Sequence, residues 1–203
     1  MAEVNFFVYG SMSEGFVHFS KIKDFIQTSV PAMIQGTAYR LKVGFPVVIE
    51  AGVDAVSGQL LTLSSNSMDL LVSLLDEFHG VNRMDPVKSL YFRKEVSVQT
   101  SGNLGAAQKA WVYFLNPAKL PAKSVQIPGG DWKSSLQTEP ALTEKLTERQ
   151  KTYVLRLGAI SGREIVPIDL PLYRELMNLE LIVDKGRRLA LSKFGQEVYR
   201  YLS

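Results

Sequence analysis

With 203 residues, 46% of them hydrophobic and 21% charged, the chain has the composition of a globular protein able to bury one large core or two small ones, and two are expected. The absence of cysteine excludes disulfides, thiolate metal sites and a cysteine nucleophile, and only two histidines, His18 and His79, argue against a histidine-rich metal centre. No apolar run reaches the ~20 residues of a membrane helix, and acidic Glu3 stands where a secretory leader would be basic, so a cytoplasmic protein without membrane contact is expected.

In chain order, Val4 to Tyr9 reads as a first strand that breaks into Gly10-Ser11-Met12. This break has two readings. One is a tight strand-end turn; the other is a concave site whose outward N–H groups suit a carboxylate. Phe16 to Phe25, with Phe19, Ile22 and Ile26 at helical spacing, predicts a short connecting helix. Pro31 to Leu41, Pro46 to Glu50 and Ala55 to Leu63 carry β-branched or alternating apolar residues punctuated by Gly36 and Gly44, and read as three strands of barrel length.

The clearest helix follows, capped around Ser67-Met68-Asp69, with Leu70, Leu71, Leu74, Leu75 and Phe78 on one face and His79-Gly80 at its end. Gly80 suits a left-handed C-terminal cap. Val81 to Ser89 is a polar loop long enough to form a rim, and Tyr91 to Thr100 pairs with Ala110 to Leu115 around a turn at Ser101-Gly102-Asn103. Tyr91 and Tyr113 then lie on neighbouring strands, either packed in the core with satisfied hydroxyls or lining a pocket. Pro117 to Gly130 reads as loop.

These segments contain an ordered series: Tyr9-Gly10-Ser11-Met12, Gly44-Phe45-Pro46, Val56-Ser57-Gly58-Gln59-Leu60, Leu75-Asp76-Glu77-Phe78-His79-Gly80, Tyr91-Phe92-Arg93, Val112-Tyr113 and Gly130-Asp131-Trp132. Over residues 4 to 134 the series resembles the γ-glutamylcyclotransferase-like family. The resemblance implies an α+β fold, a small mixed β-barrel with flanking helices. It also implies conversion of a γ-glutamyl amine or amide into 5-oxoproline and a free amine, with no metal or organic cofactor. Tyr9, Gly10, Ser11 and Met12 would then cradle the substrate carboxylate. Met12 replaces the family's usual leucine, and His79 stands where the family has a carboxylate as general acid/base. Imidazole can do that work near neutral pH, although an imidazolium would repel the substrate ammonium. Glu77 is the other candidate, but residues two apart on a helix point about 200° from each other.

Residues 1–134 form the expected first domain, 135–141 a linker and 142–203 a second domain. All of the chain's excess charge of +3 lies from residue 141 onward, where 11 Lys/Arg stand against 8 Asp/Glu. That imbalance is compatible with weak nucleic-acid contact and also ordinary for solvated surface. Thr147-x-x-Gln150 is a capping box, Asp169 and Ser192 cap two further helices, and Leu181 to Leu191 reads as a hairpin turning at Asp184-Lys185-Gly186. Helix, helix, wing and helix resembles a small winged-helix domain, yet Ser161 to Glu180 has no room for a separate recognition helix, and Glu180 replaces a common helix-ending glycine. Protein contact or homodimerisation is therefore expected ahead of nucleic-acid binding, with Arg187 and Arg188 as the test residues. Two functions stand: a cyclotransferase-like enzyme, or a non-catalytic sensor or adaptor whose pocket holds a small anion and whose tail domain contacts protein or nucleic acid.

Overall fold

The computed structural model describes residues 4–63, 68–100, 107–160 and 164–203. They form two compact units, Met1–Thr138 and Glu139–Ser203. The expected helix cap at Ser67 and the turn at 101–103 lie outside the described residues.

The first unit is an α+β structure built on a closed five-stranded barrel. Strands β1 (Val4–Val8), β2 (Ile26–Arg40), β3 (Pro46–Leu63), β4 (Tyr91–Thr100) and β5 (Gln108–Leu115) pair in the order β3-β1-β5-β4-β2, and β2 closes the ring onto β3. A short strand, β6 (Val125–Gln126), extends the sheet beyond β2. All five barrel strands contribute to the interior, through Phe7, Ile34, Val48, Val56, Leu60, Val98, Val112 and Phe114. A second cluster covers the outer face of β1, β3 and β5. There Phe6, Val8, Leu61 and Tyr113 pack under Leu71 and Leu75 of helix α1 (Met68–Phe78). The alternation of Phe6 and Phe7 between these clusters is the period-two geometry of a strand buried on both faces.

The structure differs from the sequence expectation in three places that bear on the site. The stretches expected as separate strands between residues 46 and 63 are one 18-residue strand. Residues 50–53 bulge out between the pairs Gly36↔Asp54 and Thr37↔Ile49, while Thr37 Oγ1 donates to Ala51 O at 2.7 Å. A bulge lets one strand carry extra residues without ending the ladder, and only Gly52, at φ +111°, fits beside that threonine. The segment expected as a helix over 16–25 instead makes successive 3-10 turns at Phe19–Lys21 and Lys23–Phe25. In so short a stretch a period of 3 and one of 3.6 place the same residues inward. Leu70, finally, is 65% exposed, because it sits about 100° around the helix from Leu71, beyond the buried stripe.

Beyond β5, the 117–130 segment carries 3-10 turns at Pro117–Lys119 and Pro128–Gly130, and α2 (Trp132–Thr138) makes the stretch read as linker helical through Thr138. The second unit contains α3 (Leu142–Lys145), α4 (Glu148–Ala159), α5 (Leu170–Asn178), the hairpin β7 (Ile182–Asp184) and β8 (Leu189–Leu191), and α6 (Lys193–Leu202). Its caps are those read from the residues. Thr147 and Gln150 bond reciprocally, Asp169 accepts from Leu172 N, and Ser192 accepts from Gly195 N. No helix among the described residues is long and apolar enough to cross a membrane.

Candidate active site

Helix α1 ends by two hydrogen bonds, Val81 N to Asp76 O and Gly80 N to Glu77 O, with Gly80 at φ +62°. This is the glycine-terminated arrangement that satisfies the last carbonyls of a helix. It also fixes two polar residues at the helix end, since Asp76 lies in the last turn and His79 is the final half-helical residue.

The His79 ring lies flat against Tyr113, with centroids 3.9 Å apart and planes 3° from parallel. Tyr91 meets the same ring edge-on at 5.1 Å. His79 Nδ1 is 2.8 Å from the Leu75 carbonyl oxygen. A carbonyl only accepts, so Nδ1 carries the proton and the lone pair of the neutral ring resides on Nε2.

Beneath this ring lies a polar network that the sequence reading missed. Tyr113 Oη donates to Asp76 Oδ1 at 2.7 Å, and Arg83 Nε and Nη2 donate to Asp76 Oδ2 at 2.9 and 2.7 Å. Arg93 Nη1 stands 3.5 Å from Asp76 Oδ1, its guanidinium over the Trp111 ring. Asp76 is buried, so its charge is held in place by these partners. Burial foremost, and then the Asp76 hydrogen bond and charge, push the Tyr113 phenol far above its ordinary pKa, with Arg93 opposing. The phenol stays a donor. A signal existed in the sequence, an aspartate beside the buried leucines of the stripe, but nothing local names its partners. Arg93 reaches it because β4 and β5 pair Arg93 with Tyr113.

The N-terminal turn approaches from the other side. Gly10–Met12 is a single 3-10 turn whose closing bond runs from Ser13 N to Gly10 O, and the N–H groups of Gly10 and Ser11 stand at its N-terminal end, without a partner inside the turn. Gly10 needs φ +69°, and a Cβ there would come within 3.0 Å of Pro46 Cγ. The Met12 side chain belongs to the core under α1, which leaves its backbone as the part able to meet a ligand. Ser13 is fully buried, and its Oγ has no hydrogen-bond partner among the described residues.

Two links join the turn to the helix tip. Tyr9 Oη donates to Tyr113 O at 2.6 Å. Ser11 Oγ lies 2.9 Å from Nδ1 of buried His18, whose ring meets Phe78 edge-on at 4.7 Å. Tyr9, Ser11, His79, Tyr91 and Tyr113 are thus brought together, whereas Glu77 is exposed on another side of the helix. The 81–89 rim is pinned to this region. Asn82 Oδ1 accepts from the N–H groups of Met84 and Asp85, Ser89 Oγ accepts from Asn82 N, and Asn116 Nδ2 donates to Ser89 O. No group of three or more His, Asp or Glu side chains arranged to hold a metal ion occurs among the described residues.

Residues 6–134 match the family model described as γ-glutamyl cyclotransferase, AIG2-like. The chain belongs to this family. The match covers the barrel and ends before Glu139, where the second unit begins. No curated protein matches the chain. Among solved structures, the family chain is similar to a protein of Arabidopsis thaliana known in solution, with 21% identity, TM-score 0.49, and 83% of this chain and 97% of that one covered. It is also similar to YkqA from Bacillus subtilis, with 15% identity, TM-score 0.47 and coverage of 94% and 81%. An AIG2-like protein from Mus musculus aligns at 16% identity and TM-score 0.44, over 61% and 82% of the two chains.

Proposed function

We propose that the barrel unit carries out intramolecular aminolysis of a γ-glutamyl amine or amide, releasing 5-oxoproline and a free amine. The observation that supports this most directly is the 2.8 Å contact of His79 Nδ1 with the Leu75 carbonyl oxygen, which gives Nδ1 the proton and makes Nε2 the basic nitrogen of the neutral ring. In the proposed reaction Nε2 takes a proton from the substrate α-ammonium. The resulting amine attacks the γ-carbonyl, forming the ring C–N bond. As the original amide C–N bond breaks, Nε2–H returns the proton to the departing nitrogen; the ring nitrogen's remaining extra proton follows by the same route, so the product is a neutral lactam and the amine leaves as an ammonium. The turn from Tyr9 to Met12 holds the α-carboxylate through the N–H groups of Gly10 and Ser11, and Tyr91 and Tyr113 wall the imidazole. No metal or organic cofactor enters the sequence.

The test is 5-oxoproline release from a panel of γ-glutamyl compounds. The wild type is expected to release it, His79→Ala to lose about 10²–10⁴-fold in rate, the usual worth of a positioned acid/base, and Glu77→Gln to stay near wild type. Loss confined to Glu77→Gln would move the base to that residue. Absence of release from every compound sinks the proposal.

One observation favours a second reading, the binding of a small anion without turnover: Arg83 and Arg93 outnumber Asp76 beneath His79, which suits an anion better than an ammonium. Saturable binding of glutamate or 5-oxoproline by a protein that turns nothing over would establish it. In either case residues 142–203 act as a winged-helix-like module for protein contact. The helix, helix, hairpin, helix order supports this, and Arg187→Ala with Arg188→Ala tests it against nucleic-acid binding.

A further inference from the structure

We infer that His18 is a positioning residue for the ligand-binding turn: its Nδ1–H donates to Ser11 Oγ and so turns the Ser11 proton toward the carboxylate of the ligand. The inference rests on the cyclotransferase reading for the identity of that ligand, but it makes a separate prediction about binding. His18 is 1% exposed. It is tied to Ser11 twice, by its backbone N–H donating to Ser11 O at 2.9 Å and by Nδ1 at 2.9 Å from Ser11 Oγ. Its ring is further fixed edge-on against Phe78, which in turn stands edge-on to His79 at 5.1 Å. One buried side chain therefore spans from the turn to the helix tip, two parts of the site that come from distant stretches of sequence.

The proposed role fixes the direction of the bond. A serine hydroxyl has one proton and two lone pairs, whereas a carboxylate only accepts. If His18 Nδ1 accepted the Ser11 proton, the hydroxyl would offer the ligand only lone pairs, which repel it. With Nδ1 donating, the Ser11 proton is left for the ligand and forms a charge-assisted bond, roughly twice as strong as a neutral one. His18 touches no reacting atom in this scheme and acts through Ser11.

Three variants separate this role from simple packing. His18→Phe keeps an aromatic ring against Phe78 and removes the donor. His18→Asn supplies an amide N–H close to the position of Nδ1–H and removes the ring. Ser11→Ala removes the hydroxyl on which His18 acts. His18→Phe and Ser11→Ala are each expected to raise KM for a γ-glutamyl substrate about tenfold with kcat changed by less than about twofold, the pattern of lost uniform binding. His18→Asn should return KM to within about threefold of wild type, and the double variant should be no worse than Ser11→Ala alone, because the two residues act as a unit. The same ranking is expected in calorimetric binding of 5-oxoproline, which requires no turnover.

Unchanged KM and Kd in His18→Phe, equal impairment in His18→Asn, or additive losses in the double variant would each overturn the inference. If His18→Phe does not fold, Ser11→Ala and His18→Asn decide, and Ser11→Ala at wild-type affinity overturns it. A wild type that binds 5-oxoproline but releases none from any γ-glutamyl compound removes the enzymatic reading and leaves the binding comparison to settle His18. A wild type that binds nothing overturns both.

Discussion

Helices α1 and α5 end in the same way and lead to different things. In α1 the bonds run from Val81 N to Asp76 O and from Gly80 N to Glu77 O. In α5 they run from Leu181 N to Leu176 O and from Glu180 N to Met177 O. Both linking residues take the left-handed conformation, Gly80 at φ +62° and Glu180 at φ +59°. The backbone geometry is shared, and the side chains it presents are not. At the equivalent place in the last turn, α1 has buried Asp76 with a tyrosine and two arginines, and α5 has buried Leu176. At the next equivalent place stand His79 and Leu179. A helix terminus is thus a means of aiming side chains, and in the barrel unit it anchors a polar network where the second unit uses it for packing.

The largest expected effect comes from exchanging that polar anchor. Asp76→Asn removes the charge that holds Arg83, Arg93 and Tyr113, and should destabilise the barrel unit by about 2–4 kcal/mol, since Asp76 is buried but the largely exposed Arg83 returns to solvent when its partner is lost. Both tryptophans, Trp111 and Trp132, lie in this unit, so urea unfolding followed by their fluorescence reads it directly. Leu176→Ala should cost a comparable ~2–5 kcal/mol through a cavity, seen by circular dichroism of the helices. If Asp76→Asn proves neutral, the contrast between a polar and an apolar helix end has no energetic content.

A smaller effect isolates the phenol. Tyr113→Phe should cost about 1–3 kcal/mol by leaving Asp76 one hydrogen bond short. The raised pKa of Tyr113 adds a pH signature. The folded state keeps the phenol proton that an unfolded tyrosine loses near pH ~10, so this contribution is complete below that pH and is lost as pH rises above it. Alkaline unfolding curves of wild type and Tyr113→Phe should therefore converge above about pH 10. Parallel curves would remove the phenol from the network's energetics.

The smallest effects concern the linking residues themselves. Gly80→Ala should destabilise by about 1–2 kcal/mol, since a side chain is strained in the left-handed region and its Cβ would sit 3.2 Å from Leu90 Cβ. Glu180→Gly should do the reverse and stabilise the second unit by about 0.5–1 kcal/mol, the relief of strain less the entropy of glycine. Opposite signs at the two caps, measured as shifts in thermal midpoint, would confirm that the same backbone demand operates in both.

The features written within a few residues of each other were legible without coordinates. Thr147 with Gln150, Asp169, Ser192 and Gly80 announce helix ends because a cap is a hydrogen bond over two to five residues. The apolar run Val4 to Tyr9 and the alternation of Tyr91 to Thr100 announce strands for an equally local reason. Tyr9 to Met12 and His79 were identifiable as candidates from their residue types and order. Tertiary structure alone decided that Arg93 stands opposite Tyr113, that Asp76 collects partners from a loop and two strands, and that His18 bridges a turn and a helix tip. It also turned Leu70 and Glu77 outward and merged separate-looking strands across a bulge. Those outcomes depend on which strand pairs with which and in what register, and register is set by the summed burial of both faces of a closed barrel rather than by any single short stretch of residues.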